Sequence, residues 1–444
     1  MFIGRETELK FLEHYYAEAD SKIIVVYGQK GVGKTTLLKH FSGERKMSYY
    51  FARACSAREQ RYQWAFELRK SGKTVNEHPE YKELFMNSIS FNEEQKQLII
   101  IDEFHNIVKS DSSFMAELIY FVKNLGRPVM VLLCSSAAGW VENSMIQKIG
   151  SYAAYLAGLL KVRDLKFRDI CKIYPNYEQD QQLQMYAALG GVPGAWNHFT
   201  EGLSAKENIC KHMLNTESRL YEDMSVMISE ELREPAVYNT LLSTMARGCY
   251  KLNDLYEHTG FSRAKISVYL KALMELDIVE KIYSYETAGY ANSQKGIYRI
   301  SNSLVRFYYR FIFPNLSMLQ LMSTEEFYNQ YVGPYFADYA SEAYRNICSD
   351  DLSAQFNILG EWFGKSGKID ILMQNAEKQL IAVLCSYAKG ITFADYKELL
   401  HQTKKARVKP DMVYLFSETG FTDDLITYMK KGKVKLFHLT EKEK

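Results

Sequence analysis

The feature that most constrains the fold is a glycine-rich octapeptide, GQKGVGKT, at residues 28–35. It fits the pattern GxxxxGK[ST], in which glycines let successive backbone N–H groups curve around phosphate oxygens. The octapeptide follows the β-branched run KIIVVY (22–27) and precedes the helical stretch LLKHF (37–41). A buried strand that leads through such a loop into a helix is typical of the first unit of a parallel α/β sheet.

Three further apolar runs predict the other strands of this sheet. They are MSYYFA (47–52), LIII (98–101) and VMVLLC (129–134), and polar or helical stretches separate them. Strands that alternate with helices form crossover units and a parallel sheet. We therefore predict an α/β P-loop domain over residues 1–150 and a helical pattern from about residue 140 to residue 228.

The loop and one strand end predict a site for ATP and Mg²⁺. Lys34 is expected to bridge the β- and γ-phosphates as a catalytic residue, and the Thr35 hydroxyl to bind the metal. Asp102 follows the strand 98–101 and is expected to hold Mg²⁺ through water, while Glu103 orients or deprotonates the attacking water. The remaining expected nucleotide-binding residues of this loop are Gly28, Gln29, Lys30, Gly31, Val32, Gly33 and Thr36.

Two hydroxyl residues and a histidine accompany these acids. Ser135 and Ser136 end the strand 129–134, where a hydroxyl can sense the γ-phosphate, so Ser135 is included among the binding residues. A plain hydroxyl turn explains the same pair equally well. His105 lies three residues after Asp102, and there we expect a supporting structural role rather than catalysis.

The ordered motifs of the chain resemble those of the archaeal and bacterial AAA-like ATPases of the STAND superclass. The matching motifs are FIGRETEL (2–9), GQKGVGKTT (28–36), LIIIDEFHNI (98–107), CSS (134–136) and GGVPGAW (190–196). The resemblance implies a helical lid over residues 151–228, a winged helix over 229–300 and a distinctive C-terminal α/β domain over 301–444.

The same resemblance implies that the segment 2–5, including Arg5, packs near the nucleotide base and that Pro193 follows the lid helices toward the adenine. From the residues alone, Phe2 is equally well explained as a core side chain and Pro193 as a helix breaker.

One position departs from the family pattern. A Gly-Arg pair usually follows the Ser-Ser strand and places an arginine near the γ-phosphate, whereas here Gly158 is followed by Leu159. Arg163, Arg168 and Arg127 are the candidates to replace it. Because an arginine finger is worth roughly 10³-fold or more in rate, we expect ATP binding with slow hydrolysis to ADP and phosphate.

A helix–turn–helix pattern follows the lid. Helices are predicted over 234–246 and 251–260, then from Ser262, with a candidate wing around 279–300. Three basic residues lie on or near the exposed face of the third helix: Arg263, Lys265 and Lys271. Residues 251–276 are therefore a possible DNA contact, and an internal packing or regulatory element is the alternative.

The C-terminal region resembles the PD-(D/E)xK nuclease fold. Asp370 occupies the first acidic position, but Leu384, Cys385 and Ser386 stand where Glu-x-Lys is expected. A helical glutamate found in some relatives is Ala337 here, and Lys389 alone cannot replace a carboxylate metal ligand. We therefore predict a catalytically inactive domain that serves in binding or docking.

Composition limits the class of protein. The formal net charge is +2, which gives no global argument for nucleic acid or membrane, and seven scattered cysteines indicate reduced thiols and a cytoplasmic location. The leading hypothesis is a nucleotide-driven regulatory or signalling switch with an unidentified protein partner. The alternatives are a DNA-binding regulator or nucleic-acid-processing factor, and an ATP-dependent scaffold without turnover.

Overall fold

The computed structural model describes residues 2–90, 95–231, 234–285, 296–364, 367–429 and 434–437. The chain divides into two compact units. Unit 1 comprises Met1–Leu165, Val192–Gly194 and Ala272–Asp277. Unit 2 comprises Lys166–Gly191, Ala195–Lys271 and Ile278–Lys444.

Unit 1 is built on a five-stranded parallel sheet in the order β2-β3-β4-β1-β5. Its strands are β1 (Lys22–Tyr27), β2 (Met47–Phe51), β3 (Gln97–Asp102), β4 (Val129–Ser135) and β5 (Gly158–Lys161). The first four are the predicted strands. The prediction of a helical pattern from residue 140 is wrong at β5, because a run of only four residues takes its strand conformation from pairing with β1 rather than from a local signal.

Helices cover both faces of this sheet, so its central strands are apolar on both sides. Ile23 and Val25 of β1 belong to one buried cluster, whereas Ile24 and Val26 belong to another on the opposite face. The helices of unit 1 are α1 (Glu6–Ala17), α2 (Lys34–Ser42), α3 (Ala57–Lys70), α4 (Tyr81–Asn87), α5 (His105–Ser110), α6 (Phe114–Asn124), α7 (Ala138–Trp140) and α8 (Ile146–Ile149). A π-helical turn, Val141–Met145, joins α7 to α8, and a 3-10 segment, Gly150–Tyr155, precedes β5.

The helices that follow fall mainly in unit 2. They are α9 (Phe167–Ile173), α10 (Gln179–Leu189), α11 (Pro193–Trp196), α12 (Ala205–Asn208), α13 (Arg219–Glu231), α14 (Pro235–Ala246), α15 (Leu252–Thr259), α16 (Arg263–Glu275), α17 (Ser303–Phe307), α18 (Leu316–Leu321), α19 (Thr324–Phe327), α20 (Gly333–Leu352), α21 (Phe393–Lys405) and α22 (Asp423–Met429). Shorter helical turns are the π-helical Ile209–Met213, Tyr308–Ile312 and Tyr328–Val332 and the 3-10 segment Phe313–Asn315. No helix among the described residues is long and apolar enough to cross a membrane.

The predicted helix–turn–helix is present as α14, α15 and α16. The Ser262 hydroxyl accepts a hydrogen bond from the Lys265 N–H at 3.2 Å, which caps the start of α16 as the sequence predicted. Strands β6 (Val279–Tyr283) and β7 (Gly296–Ile300) follow and pair antiparallel. Residues 286–295, the tip of the predicted wing, lie outside the described residues.

The C-terminal sheet has five strands in the order β12-β11-β10-β9-β8. Its strands are β8 (Asn357–Phe363), β9 (Lys368–Gln374), β10 (Leu380–Ser386), β11 (Met412–Ser417) and β12 (Val434–Phe437). The three central strands contain the apolar runs IDILM, LIAVLCS and MVYLFS. The edge strands β8 and β12 are each only partly buried and carry a weaker apolar signal.

Candidate functional site

The glycine-rich loop connects β1 to α2 at the carboxyl edge of the parallel sheet. Gly28 follows Tyr27, and a Cβ atom at this position would lie 2.2 Å from the carbonyl oxygen of Val162. Its N–H donates to the carbonyl of Ser135, 3.3 Å away at the end of β4. Only glycine fits this approach, so the loop is held against the neighbouring strand ends.

The side chain of Lys34 turns back into the loop. Its ammonium donates to the carbonyl oxygens of Gly28 at 2.7 Å and Gln29 at 3.0 Å. Burial lowers the pKa of Lys34, and the nearby carboxylates of Glu103 and Asp102 oppose that shift. A desolvated ammonium inside a ring of backbone groups is well placed to bind phosphate oxygens.

Two predicted metal ligands meet at the start of α2 and the end of β3. The Thr35 hydroxyl donates to Asp102 Oδ2 at 3.3 Å, and the Tyr49 hydroxyl donates to the same oxygen at 2.8 Å. Tyr49 lies on β2 and was not predicted, because its proximity to Asp102 depends on the register between β2 and β3.

These oxygen donors fit Mg²⁺, which prefers carboxylate and hydroxyl ligands together with phosphate and water oxygens. Within the described residues, no group of three or more His, Cys, Asp or Glu side chains is arranged to hold a metal. Thr35 and Asp102 therefore suit an ion that a bound nucleotide brings with it, and such an ion would neutralise phosphate charge.

The Glu103 carboxylate is held by three polar groups. Its Oε2 accepts from the Ser136 N–H and hydroxyl, each at 2.9 Å, and lies 3.2 Å from His105 Nδ1. Burial alone would raise the pKa of Glu103, but the contacts with His105 and Ser136 outweigh it and lower this pKa to about 2. The carboxylate is therefore ionised at neutral pH.

Glu103 also has a strained backbone. Its φ of 54° lies in the left-handed region, which costs a non-glycine residue roughly 1–2 kcal/mol. Strain of this kind is concentrated at functional sites, where the surrounding structure maintains it.

The two serines after β4 differ in accessibility. Ser135 is fully buried, and its hydroxyl is engaged by His105 Nδ1 at 3.0 Å and by the Ala137 N–H at 3.1 Å. Ser136 is only partly buried and contacts Glu103. Of the two candidate γ-phosphate sensors, the geometry favours Ser136, and His105 supports both Glu103 and Ser135.

Arg5 holds the backbone of the glycine-rich loop. Its guanidinium donates to the carbonyls of Val32 at 2.8 Å and Arg163 at 2.7 Å, and it pairs with Glu8 at 2.9 Å. Phe2 stacks on the ring of His40 with centroids 4.1 Å apart. Arg5 thus positions the loop through its backbone, and the expected proximity of segment 2–5 to the base stays a prediction.

Replacing Arg5 with alanine is expected to destabilise unit 1 by about 1–3 kcal/mol, because the buried Val32 carbonyl and the partly buried Arg163 carbonyl lose a charged donor. Urea unfolding measures this loss of stability. The transition of unit 1 is identified as the one that nucleotide binding shifts to higher urea concentration. Lys10→Ala, an exposed change on the same helix α1, is the matched control. Equal stability of the two variants would show that Arg5 does not hold the loop.

Residues Val192–Gly194 cluster with unit 1 at the loop. The Gly194 N–H donates to the Gly31 carbonyl at 3.0 Å, and the Pro193 ring lies close to Gly33. Pro193 therefore lies beside the loop, and its expected direction toward the adenine stays a prediction. Lys30 and Thr36, also expected to bind nucleotide, are exposed.

The three candidate arginines lie in different places. Arg127 precedes β4, so it stands at the amino edge of the sheet, roughly 20 Å of strand away from the loop, and the structure rules it out. Arg168 belongs to unit 2 and pairs with Asp351 at 2.6 Å. Arg163 follows Val162, which contacts Gly28, and its side chain is exposed; the geometry therefore favours Arg163.

The C-terminal sheet shows how the nuclease-like positions are used. Asp370 is buried on β9, accepts from the Cys385 N–H at 3.0 Å and pairs with Lys368 at 2.9 Å. Lys389 pairs with Asp395 at 3.5 Å instead of approaching Asp370. These contacts bring no second carboxylate to Asp370, and the inactivity of the domain stays a prediction.

The loop, the acidic strand end and the parallel sheet define a P-loop ATPase domain. Residues 2–199 match a family model described as an ATPase domain predominantly from Archaea. Residues 239–281 match the bacterial regulatory proteins of the arsR family, and residues 308–402 match a family of archaeal and bacterial proteins of unknown function.

The chain is similar over most of its length to an uncharacterised protein of Methanocaldococcus jannaschii, with 27% identity over 391 residues and 84% of each chain covered. An uncharacterised ATP-binding protein of the same organism is 43% identical over 47 residues, which are 11% of this chain and 80% of that protein. A Walker-type ATPase of Pyrococcus abyssi shares the fold, with a TM-score of 0.53, 16% identity and coverage of 69% of this chain and 95% of that one.

Proposed function

We propose that this protein is a nucleotide-driven switch of the STAND type that binds ATP with Mg²⁺ and hydrolyses it slowly. The observation that carries the proposal is that Ser136 holds the Glu103 carboxylate. Ser136 lies on the short segment after β4 that also contacts the last turn of α16. A ligand shifts the equilibrium between the two conformational states of a switch only through its different affinities for those states.

The first step concerns the γ-phosphate. Ser136 binds Glu103 through both its N–H and its hydroxyl at 2.9 Å. A γ-phosphate that accepts from Ser136 competes with Glu103 for these donors. Its arrival therefore releases the carboxylate to orient water, and ADP leaves the restraint intact.

The second step carries this change to α16. Gly139, three residues after Ser136, lies so close to the end of α16 that a Cβ atom there would be 1.7 Å from the Glu275 carbonyl oxygen. Lys161 at the end of β5 pairs with Glu142 at 3.0 Å and with Asp277 at 3.3 Å. Movement of the segment after β4 must therefore displace the end of α16.

The proposed switch is tested by Gly139→Ala, which leaves the glycine-rich loop untouched. Its Cβ atom has no room beside Glu275, so we expect the nucleotide-dependent change in α16 to be lost. Because the glycine-rich loop is unchanged, we expect ATP affinity to change by less than about threefold. Amide hydrogen exchange of α16 with MgATP and with MgADP measures this change. The control is Gly126→Ala, where a Cβ atom meets no atom within 4 Å and the φ of 73° introduces only local backbone strain. Unaltered nucleotide dependence in Gly139→Ala would contradict the proposal.

Slow turnover follows from the cations near the site. Leu159 stands in the middle of β5 where the family pattern places an arginine, and its side chain is exposed. Of the three candidate arginines, Arg163 is the one beside the loop, and its exposed side chain is not held there by a buried contact among the described residues.

We also propose that the C-terminal domain docks an unidentified protein partner instead of cleaving nucleic acid.

A second candidate function is DNA binding through α16. The outer face of this helix is exposed at Arg263, Lys265 and Val268, and Val268 has 66% of its surface accessible. Arg263 stacks on Tyr256 at 4.1 Å and donates to Asn253, which orients it along the surface. Cations beside an exposed apolar residue suit phosphates and the methyl groups of a major groove.

The double variant Arg263→Ala, Lys265→Ala should weaken duplex DNA binding and reduce the magnitude of the salt-dependence slope by about 2, because two phosphate contacts are lost. Fluorescence anisotropy at several salt concentrations measures both quantities. Arg219→Ala, Lys397→Ala is the matched control, since both residues are exposed elsewhere in unit 2. If the wild-type protein fails to bind DNA at low salt, this second function is excluded.

A further inference from the structure

Unit 2 contains a cavity of about 270 Å³ between the end of α14, strand β7 and the helices that follow β7. Four arginines line it: Arg247, Arg299, Arg306 and Arg310. Two carboxylates, Asp338 and Glu342, also line it, so the lining carries more positive than negative groups. None of these residues belongs to the nucleotide site.

Two of the arginines are paired within a buried network. Arg299 binds both oxygens of Glu361 at 3.0 Å, and Arg306 lies 3.1 Å from Glu342. Burial raises the pKa of Glu342, but Arg306 and Arg299 outweigh it and keep the carboxylate ionised. This network fixes one wall of the cavity.

Glu280 also lies near these arginines. Desolvation raises the pKa of Glu280, and the nearby Arg299 opposes this shift.

The other arginines are unpaired. Arg310 is half-buried on the π-helical turn and has no hydrogen bond or ion pair to any described residue. Arg247, at the end of α14, is exposed, and its guanidinium donates to the Thr244 hydroxyl but forms no ion pair with a described residue. The buried Nε of Arg306, whose side chain is 12% exposed, has no hydrogen-bond partner within the described residues.

A buried guanidinium N–H without an acceptor is costly, and Arg306 lines the same cavity as the unpaired cations of Arg310 and Arg247. The parallel N–H groups of an arginine guanidinium form paired hydrogen bonds with phosphate oxygens. Arg310, Arg247, Arg306 and the Tyr250 hydroxyl, which also lines the cavity, offer more donors than the two oxygens of one carboxylate can use.

We propose that this cavity binds the phosphate group of a small phosphorylated molecule. Arg310 and Arg247 are the lining arginines that bind the phosphate, since Arg299 and Arg306 are paired with carboxylates. The cavity lies at the lower end of the size of small-molecule sites, roughly 300–1,000 Å³, so the ligand is smaller than a dinucleotide.

The test uses the full chain carrying Lys34→Ala, so that the glycine-rich loop does not compete for phosphate. Inorganic phosphate and ribose 5-phosphate are titrated by calorimetry at constant ionic strength, with chloride as the balancing anion. We expect saturable binding of at least one of these probes. Tighter binding of inorganic phosphate identifies free phosphate as the ligand, and tighter binding of ribose 5-phosphate identifies a phosphomonoester. Adding Arg310→Ala should weaken binding about tenfold or more, whereas Arg219→Ala should not.

Absence of saturable binding by both probes would overturn the proposal, and so would equal affinity in the Arg310→Ala and Arg219→Ala proteins. Circular dichroism checks that Arg310→Ala is folded. If it is not, Arg310→Lys keeps the charge but loses the paired N–H donors of the guanidinium. This variant must bind phosphate more weakly than the Lys34→Ala parent protein for the proposal to stand. Because the loop is disabled throughout, failure here leaves the proposed switch untouched.

Discussion

Replacing Lys34 with alanine is expected to weaken MgATP binding about 100-fold and to reduce turnover to background. The Lys34 ammonium is 7% exposed and held inside the loop by the carbonyls of Gly28 and Gln29. A hydrogen bond to a charged group contributes about 1.5–3 kcal/mol, and the upper value corresponds to roughly a 100-fold change in affinity. Calorimetric titration with ATP and a phosphate-release assay measure the two effects.

Lys30→Ala is the matched control for Lys34→Ala. Both lysines lie in the same loop, but Lys30 is exposed and makes no contact inside it. Its removal should change ATP affinity by less than about threefold, as expected for a screened surface charge. Comparable losses in the two variants would mean that the loop attracts ATP only by general charge.

Replacing Glu103 with glutamine is expected to retain ATP binding and to lower turnover by about 10²–10⁴-fold, the range typical of a lost general base. The amide oxygen can still accept from the Ser136 N–H, which donates to Glu103 at 2.9 Å in the wild-type protein, so the local structure is preserved. The lost property is the carboxylate charge. Single-turnover measurements under saturating MgATP separate this loss from any change in binding.

Glu117→Gln, an exposed change on α6, controls for the removal of one negative charge. It should leave both binding and turnover unchanged. If Glu103→Gln hydrolyses ATP at the wild-type rate, Glu103 is not the base, and the restraint by Ser136 and His105 has another purpose.

Much of unit 1 was predictable because its signals are local. The apolar runs around Ile24, Ile100 and Leu132 identify central strands, and GQKGVGKT fixes the loop between β1 and α2. The convergence of Thr35 and Asp102 follows from the rule that parallel strands present their carboxyl ends at one edge. The same rule excludes Arg127, which precedes its strand, and the sequence alone was sufficient to see this.

Other features depend on register or on distant contacts. Tyr49 reaches Asp102 only because β2 pairs with β3 in the register Tyr49↔Ile100. The close contact of Gly139 with Glu275 joins residues far apart in the sequence, and no local pattern encodes it. Likewise, the contact between His105 and the Ser135 hydroxyl joins residues 30 positions apart.

The most direct test of the proposed switch compares amide hydrogen exchange in the Glu103→Gln protein saturated with MgATP and with MgADP. This variant holds ATP without turning it over, so the two complexes differ by the γ-phosphate alone. The switch predicts different protection in residues 136–142 and in the last turn of α16. Identical exchange in both regions, with both nucleotides shown to be bound, would contradict it.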